Sequence, residues 1–96
     1  MVAYIVFQET VFDEDAFEEY KTLSPGTIAK FGGRFIVRGG PIENLEGAMA
    51  FERVVIIEFP TSEVARAWHN SVEYATAKAL REMITDGDAI LVEGVT

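Results

Sequence analysis

His69 is the only histidine in the chain. Its unperturbed pKa lies near neutrality, so it is the first candidate for proton transfer. It follows Trp68 and precedes Asn70-Ser71, a pair that interrupts a helix and would leave the imidazole open to a ligand. The same position admits a quieter role, because a histidine in the last turn of a helix is a favourable partner for the helix dipole. Three further charges, Arg38, Glu58 and Glu93, interrupt otherwise apolar strand-like runs. Charges persist in such places only when they are paired or used. If the three meet on one sheet face, Arg38 and Glu58 would bind, Arg38 by orienting a carboxylate ligand, while Glu93 or His69 moves protons. The competing arrangement is an ion-pair cluster at an interface. Tyr20 and Trp68 are candidate walls of an apolar pocket between helix and sheet, or else plain core.

Several chemistries are excluded by what is missing. The chain has no cysteine, so thiolate catalysis, thiolate metal sites and disulfides are absent together. Asp13, Glu14 and Asp15 cluster without a histidine, and a helix N-terminus explains them, so no metal site is expected. Gly39-Gly40 opens no helix and is followed by no lysine, which removes the nucleotide-binding loops; no cofactor is expected. With 16 acidic against 8 basic residues the net charge is -8, so phosphate backbones and anionic membranes would repel the chain. The apolar runs are too short to span a bilayer, and no basic region precedes the first of them. Ninety-six residues with 49% hydrophobic content read as one cytoplasmic domain covering residues 1–96.

The elements that must carry these side chains are punctuated by glycine and proline. Val2 to Phe7 is apolar and β-branched, a strand buried on both faces. Asp13 caps a helix that carries Phe17 and Tyr20, and Pro25, preceded by Ser24 as a second cap, predicts a kink or break within it. The helix closes at Gly32. Arg34 to Arg38 follows as a strand, with both arginines and Ile36 on one face and Phe35 and Val37 on the other. Gly39-Gly40 predicts a bulge, after which Ile42 to Leu45 resumes pairing and a turn at Gly47 leads back through Phe51 to Phe59. Pro60 stops that arm, Thr61 or Ser62 caps a helix carrying Val64, Ala65 and Trp68, and Ser71 caps another from Val72 to about Ile84. A turn at Asp86-Gly87 precedes a last strand, Ala89 to Glu93.

This order is β-α-β-β-α-β, an α+β ferredoxin-like fold: a four-stranded antiparallel sheet with helices on one face. Helices on one side leave the other bare. Strands apolar on both faces would then expose about eight large side chains, each forfeiting roughly 1.5–3 kcal/mol of burial. A partner must cover that face.

The run Phe31-Gly-Gly-Arg-Phe-Ile-Val-Arg-Gly-Gly40, then Leu45-Glu46-Gly47, Glu58-Phe59-Pro60, Ala67-Trp68, Glu73-Tyr74 and Leu91-Val92-Glu93-Gly94 together resemble the uncharacterised family called domain of unknown function 1330. The resemblance covers essentially the whole chain. It implies membership of the dimeric α/β-barrel superfamily and hence a homodimer paired through the open sheet face. Relatives in that superfamily include cofactor-free monooxygenases and small isomerases with pockets between sheet and helices. Ser71-Val72-Glu73-Tyr74 departs from the usual Ser-Pro-Glu-Tyr, His69 stands where an aromatic is usual, and Ala48 to Phe51 differs from the usual hairpin tip. Three function classes follow: a cofactor-free enzyme on a small apolar or carboxylate-bearing molecule, a protein that only binds such a molecule, and a dimerisation module without a ligand. The first is the leading reading.

Overall fold

The computed structural model describes residues 1–95. Its elements are β1 (Ala3–Val11), α1 (Glu14–Lys30), β2 (Arg34–Arg38), β3 (Arg53–Phe59), α2 (Ser62–His69), α3 (Val72–Ile84) and β4 (Thr85–Glu93). The strands form one antiparallel sheet in the order β2-β3-β1-β4. This is the ferredoxin-like α+β arrangement, with the second helical segment divided at Ser71. The predicted caps are in place: Ala16 N donates to Asp13 Oδ1 at 3.0 Å, Val64 N to Thr61 Oγ1 at 3.2 Å and Tyr74 N to Ser71 Oγ at 3.1 Å.

Four local expectations are corrected. First, β1 continues past Phe7 to Val11, because the inward alternation Ala3, Ile5, Phe7 extends to a fourth buried residue, Glu9. Second, α1 runs unbroken through Pro25, and Ser24 is buried in its inner face rather than capping a new helix. The missing Pro25 N–H would have bonded the Lys21 carbonyl, and that carbonyl instead accepts from Arg38 Nη2 at 3.3 Å. The inward stripe Phe17, Tyr20, Ser24, Ile28 keeps its helical spacing across the proline, so tertiary burial outweighs the local penalty.

Third, residues 39–52 form an irregular connection and Ile42 to Leu45 does not rejoin the sheet. The ladder extends only as far as Gly39 N, which donates to Val54 O at 2.9 Å, and the bulge lies earlier, between Phe35 and Val37. Fourth, Asp86 and Gly87 are not a turn but part of β4, paired with Thr10 and Glu9. The backbones approach so closely there that a Cβ on Gly87, at φ +154°, would strike the Gln8 carbonyl.

The helices cover one face of the sheet. Ile5, Phe7, Val55, Ile57 and Phe59 point up from the strands into Phe17 and Ile28 of α1, Ala65 and Trp68 of α2 and Tyr74 and Ala77 of α3. The opposite face carries Tyr4, Val6, Ile36, Ile56 and Val92 around a shallow apolar depression, with Val92 45% and Ile90 52% exposed. Among the described residues, no helix is long and apolar enough to cross a membrane.

Candidate functional site

The inward row of β1 carries a charge at its fourth position. Glu9 is only 3% exposed, and its cross-strand neighbour on β3 is Arg53, so the last inward pair of the central strands is ionic where the preceding three are apolar. The pair is loose: Arg53 Nε lies 4.0 Å from Glu9 Oε1, too far for a hydrogen bond. Glu9 Oε2 and Arg53 Nε are both buried and neither has a hydrogen-bond partner among the described residues. Burial pushes the Glu9 carboxyl above its ordinary range, against the opposing pull of Arg81 and Arg53.

Two tyrosines stand with this carboxyl between sheet and helices. Tyr20 of α1 and Tyr74 of α3 share a hydrogen bond of 2.7 Å between hydroxyls, and Arg81 Nε donates to Tyr74 Oη at 3.3 Å. Burial raises both phenols well above the usual range, with the neighbouring Tyr74 adding to the rise at Tyr20. They stay protonated at neutral pH, which leaves hydroxyl protons available for hydrogen bonds. Arg81 reaches this position across the face of Phe7, its guanidinium 4.8 Å from the ring centre.

Glu9, Tyr20, Ser24, Arg38 and Arg53 surround a small chamber walled by Phe7, Phe17, Phe35, Val55 and Ile57, with a volume of about 20 Å³. It adjoins an open vestibule of about 190 Å³ that shares Phe17, Lys21 and Arg53 with it and is rimmed by Glu14 and Glu52. Arg53 lies between the two, its guanidinium 4.8 Å over Phe17. It also packs on Gly39, where φ is +70° and a side chain would occupy the place of the guanidinium.

The structure brings Tyr20 and Arg38 to this cleft and leaves the other candidates outside it. Arg38 arrives through the bulge: Phe35 and Arg38 lie opposite the inward Ile57 and Val55, while Ile36 and Val37 share the open face. The expected grouping of Arg34, Ile36 and Arg38 on one face is thereby overturned, since one extra residue reverses the alternation. Arg38 stacks 4.2 Å over Phe35. Glu58 lies on the open face, where Arg34 Nε meets its Oε1 at 3.2 Å. Glu93 is at the far end of β4, opposite Ala3, with Ser62 Oγ 3.5 Å from its Oε1. Arg38, Glu58 and Glu93 therefore do not form one cluster.

Trp68 is fully buried, stacked on Tyr74 with ring centres 4.0 Å apart, and its Nε1 donates to Thr27 Oγ1 at 3.0 Å. It is core rather than pocket wall. His69 is half-buried in a separate cleft of about 210 Å³ between α2 and the edge strand β4, beside Arg66 and Leu91. Burial, with Lys78 and Arg81 nearby, lowers its pKa. Among the described residues, no three His, Asp or Glu side chains converge to hold a metal ion. Glu9, Arg53, Tyr74 and Arg81 were not among the sequence candidates. The signal for Glu9 was a charge at the fourth inward position of an alternating strand.

A carboxyl at the end of a sheet's inner face, under two helices and beside a hydroxyl pair, defines a ferredoxin-like α+β protein with a cleft between its layers. The chain belongs to the family described as Domain of unknown function (DUF1330), whose model matches residues 2–95. Among solved structures it is similar to RPA0582, a protein of unknown function from Rhodopseudomonas palustris. There the TM-score is 0.81 at 16% identity, covering 99% of this chain and 83% of that one. It is also similar to SnoaB, a cofactor-independent oxygenase from Streptomyces nogalater (TM-score 0.64, 10% identity, 99% and 94% covered). A third is a dimeric protein of unknown function and ferredoxin-like fold from Bacteroides fragilis (TM-score 0.55, 14% identity, 97% and 95% covered). No curated protein is significantly similar in sequence.

Proposed function

We propose that the protein is an enzyme that moves a proton on a small molecule held in the cleft between sheet and helices, using its own side chains, and that it works as a homodimer paired through the open sheet face. The carrying observation is Glu9: a carboxyl buried to 3% exposure, facing a chamber, with one oxygen that nothing among the described residues satisfies. A buried polar atom without a partner costs about 1–3 kcal/mol, and such a cost is characteristic of a group kept for use. Burial moves the Glu9 carboxyl up from its ordinary value, the direction that suits a carboxyl to proton transfer. Tyr20 and Tyr74, polarised by Arg81, would supply the hydrogen bond that follows the charge as it develops. The likeness in fold to a cofactor-independent oxygenase is compatible with this, as an analogy of fold. The half-exposed apolar face carrying Tyr4, Val6, Ile56 and Val92 supports the dimer.

The test is a thermal-shift screen of small apolar, hydroxyl-bearing and carboxylate-bearing compounds, followed by a turnover assay on each hit. We expect conversion to be lost in Glu9→Gln and kept in His69→Gln, because the imidazole stands in another cleft. The reverse pattern refutes the assignment to Glu9. Binding without conversion leaves a binding protein and refutes the enzyme reading.

A further inference from the structure

Resting on the reading of this cleft as a small-molecule site, we infer that its ligand is anchored by a neutral hydroxyl group, alcoholic or phenolic, which enters the inner chamber and bridges Glu9 Oε2 and Arg53 Nε, while the rest of the molecule extends into the vestibule.

Three observations carry this. The first is complementarity. Arg53 Nε–H can only donate, Glu9 Oε2 accepts when ionised and can donate when protonated, and a hydroxyl oxygen can serve either state; both atoms are buried without partners among the described residues. A hydroxyl oxygen meets both needs with one atom, accepting from Arg53 and donating to Glu9. A carboxylate has no proton to give and would face the charge of an ionised Glu9. The second is size. The inner chamber, about 20 Å³, admits one water-sized group. A single oxygen fits there. The third concerns the outer cations that would otherwise recruit an anion. Lys21 Nζ is already 2.9 Å from Glu18 Oε1, and Arg38 is held by the Lys21 carbonyl and the Phe35 ring. Glu14 and Glu52 on the vestibule rim add negative charge there. Phe17, shared by both spaces, is the apolar surface on which a flat body can rest.

Equilibrium dialysis of the intact protein with four matched probes tests the inference: 4-nitrophenol, 4-nitrobenzyl alcohol, 4-nitroanisole and 4-nitrobenzoate, at a pH where the phenol is neutral. One or both hydroxyl compounds should bind about tenfold or more tightly than the ether and the carboxylate, since the latter leave a buried group unpaired. Which of the two binds separates a phenolic from an alcoholic ligand. Glu9→Leu should erase the preference for hydroxyl over ether, Glu9→Gln, whose amide oxygen still accepts, should weaken it, and circular dichroism on each variant ensures that a folded protein is compared. Equal or tighter binding of the ether or the carboxylate overturns the hydroxyl assignment while leaving the cleft a binding site. A hydroxyl preference that survives in folded Glu9→Leu, or is undiminished in folded Glu9→Gln, overturns it too, by placing the hydroxyl elsewhere. If none of the four binds, the reading of the cleft as a small-molecule site fails with it.

Discussion

Replacing Glu9 by glutamine should change how the stability of the protein depends on pH, and the sign of that change separates a proton carrier from an ion pair. Two influences compete at this carboxyl. Burial favours its protonated form, while Arg81 and Arg53 favour the ionised form. Geometry lets burial win: the nearest guanidinium nitrogen of Arg53 is 4.0 Å away and makes no hydrogen bond to it. The folded carboxyl therefore titrates above the ordinary value of 4.5 that it has when unfolded. Between those two values the folded protein holds one proton more than the unfolded chain. Stability then falls as pH rises through the window, by up to about 1.4 kcal/mol for each pH unit. Below the window both states are protonated and above it both are ionised, so the contribution is level at either end. In a domain of this size each kcal/mol moves the midpoint by roughly 4–8 °C. Urea or thermal unfolding of wild type and Glu9→Gln across this range, subtracted one from the other, cancels the remaining carboxylates. The wild type should lose stability relative to the variant as pH rises. A difference that instead grows in favour of wild type with rising pH would show that the arginines dominate and that Glu9 is a structural ion-pair partner.

Sedimentation at micromolar concentration should give about twice the protomer mass. Ile56→Asp, on the open face, should dissociate the dimer, whereas Ile57→Asp, 1% exposed beneath the helices, should unfold the chain. A wild-type monomer would refute the pairing. Gly39→Val should destabilise by about 1–3 kcal/mol, read by urea denaturation, because it meets both a φ of +70° and the Arg53 guanidinium; an unchanged midpoint refutes that packing. Arg38→Met leaves the Lys21 carbonyl unpaired and should cost up to about 1 kcal/mol, and adding Pro25→Ala should recover it by restoring the helical N–H; additive effects would separate the two residues.

Much of this molecule is written locally. The β-branched runs, the caps Asp13, Thr61 and Ser71, the glycine at the end of α1 and the break before α3 are decided by dihedral preference and by side chains within a few residues. From them follow the order of the elements, helices on one face only, and an apolar face left bare. The candidate site was less legible, because its members are joined by pairing rather than by spacing. Glu9 reads as inward only once β1 is known to run on to Val11 beside β4. Arg53 and Arg81 come to it from β3 and α3. Arg38 turns inward because one bulged residue between Phe35 and Val37 reverses the face of everything after it. Pro25 stays inside a helix because a distant arginine satisfies the carbonyl it frees. Trp68, adjacent in sequence to His69, is wholly buried while the imidazole is only half-covered. Sequence alone determined the order of the elements and the apolar face that the helices leave bare. Register, one bulge and long-range burial decided which charges meet, since those depend on free energies of contact between residues far apart in the chain.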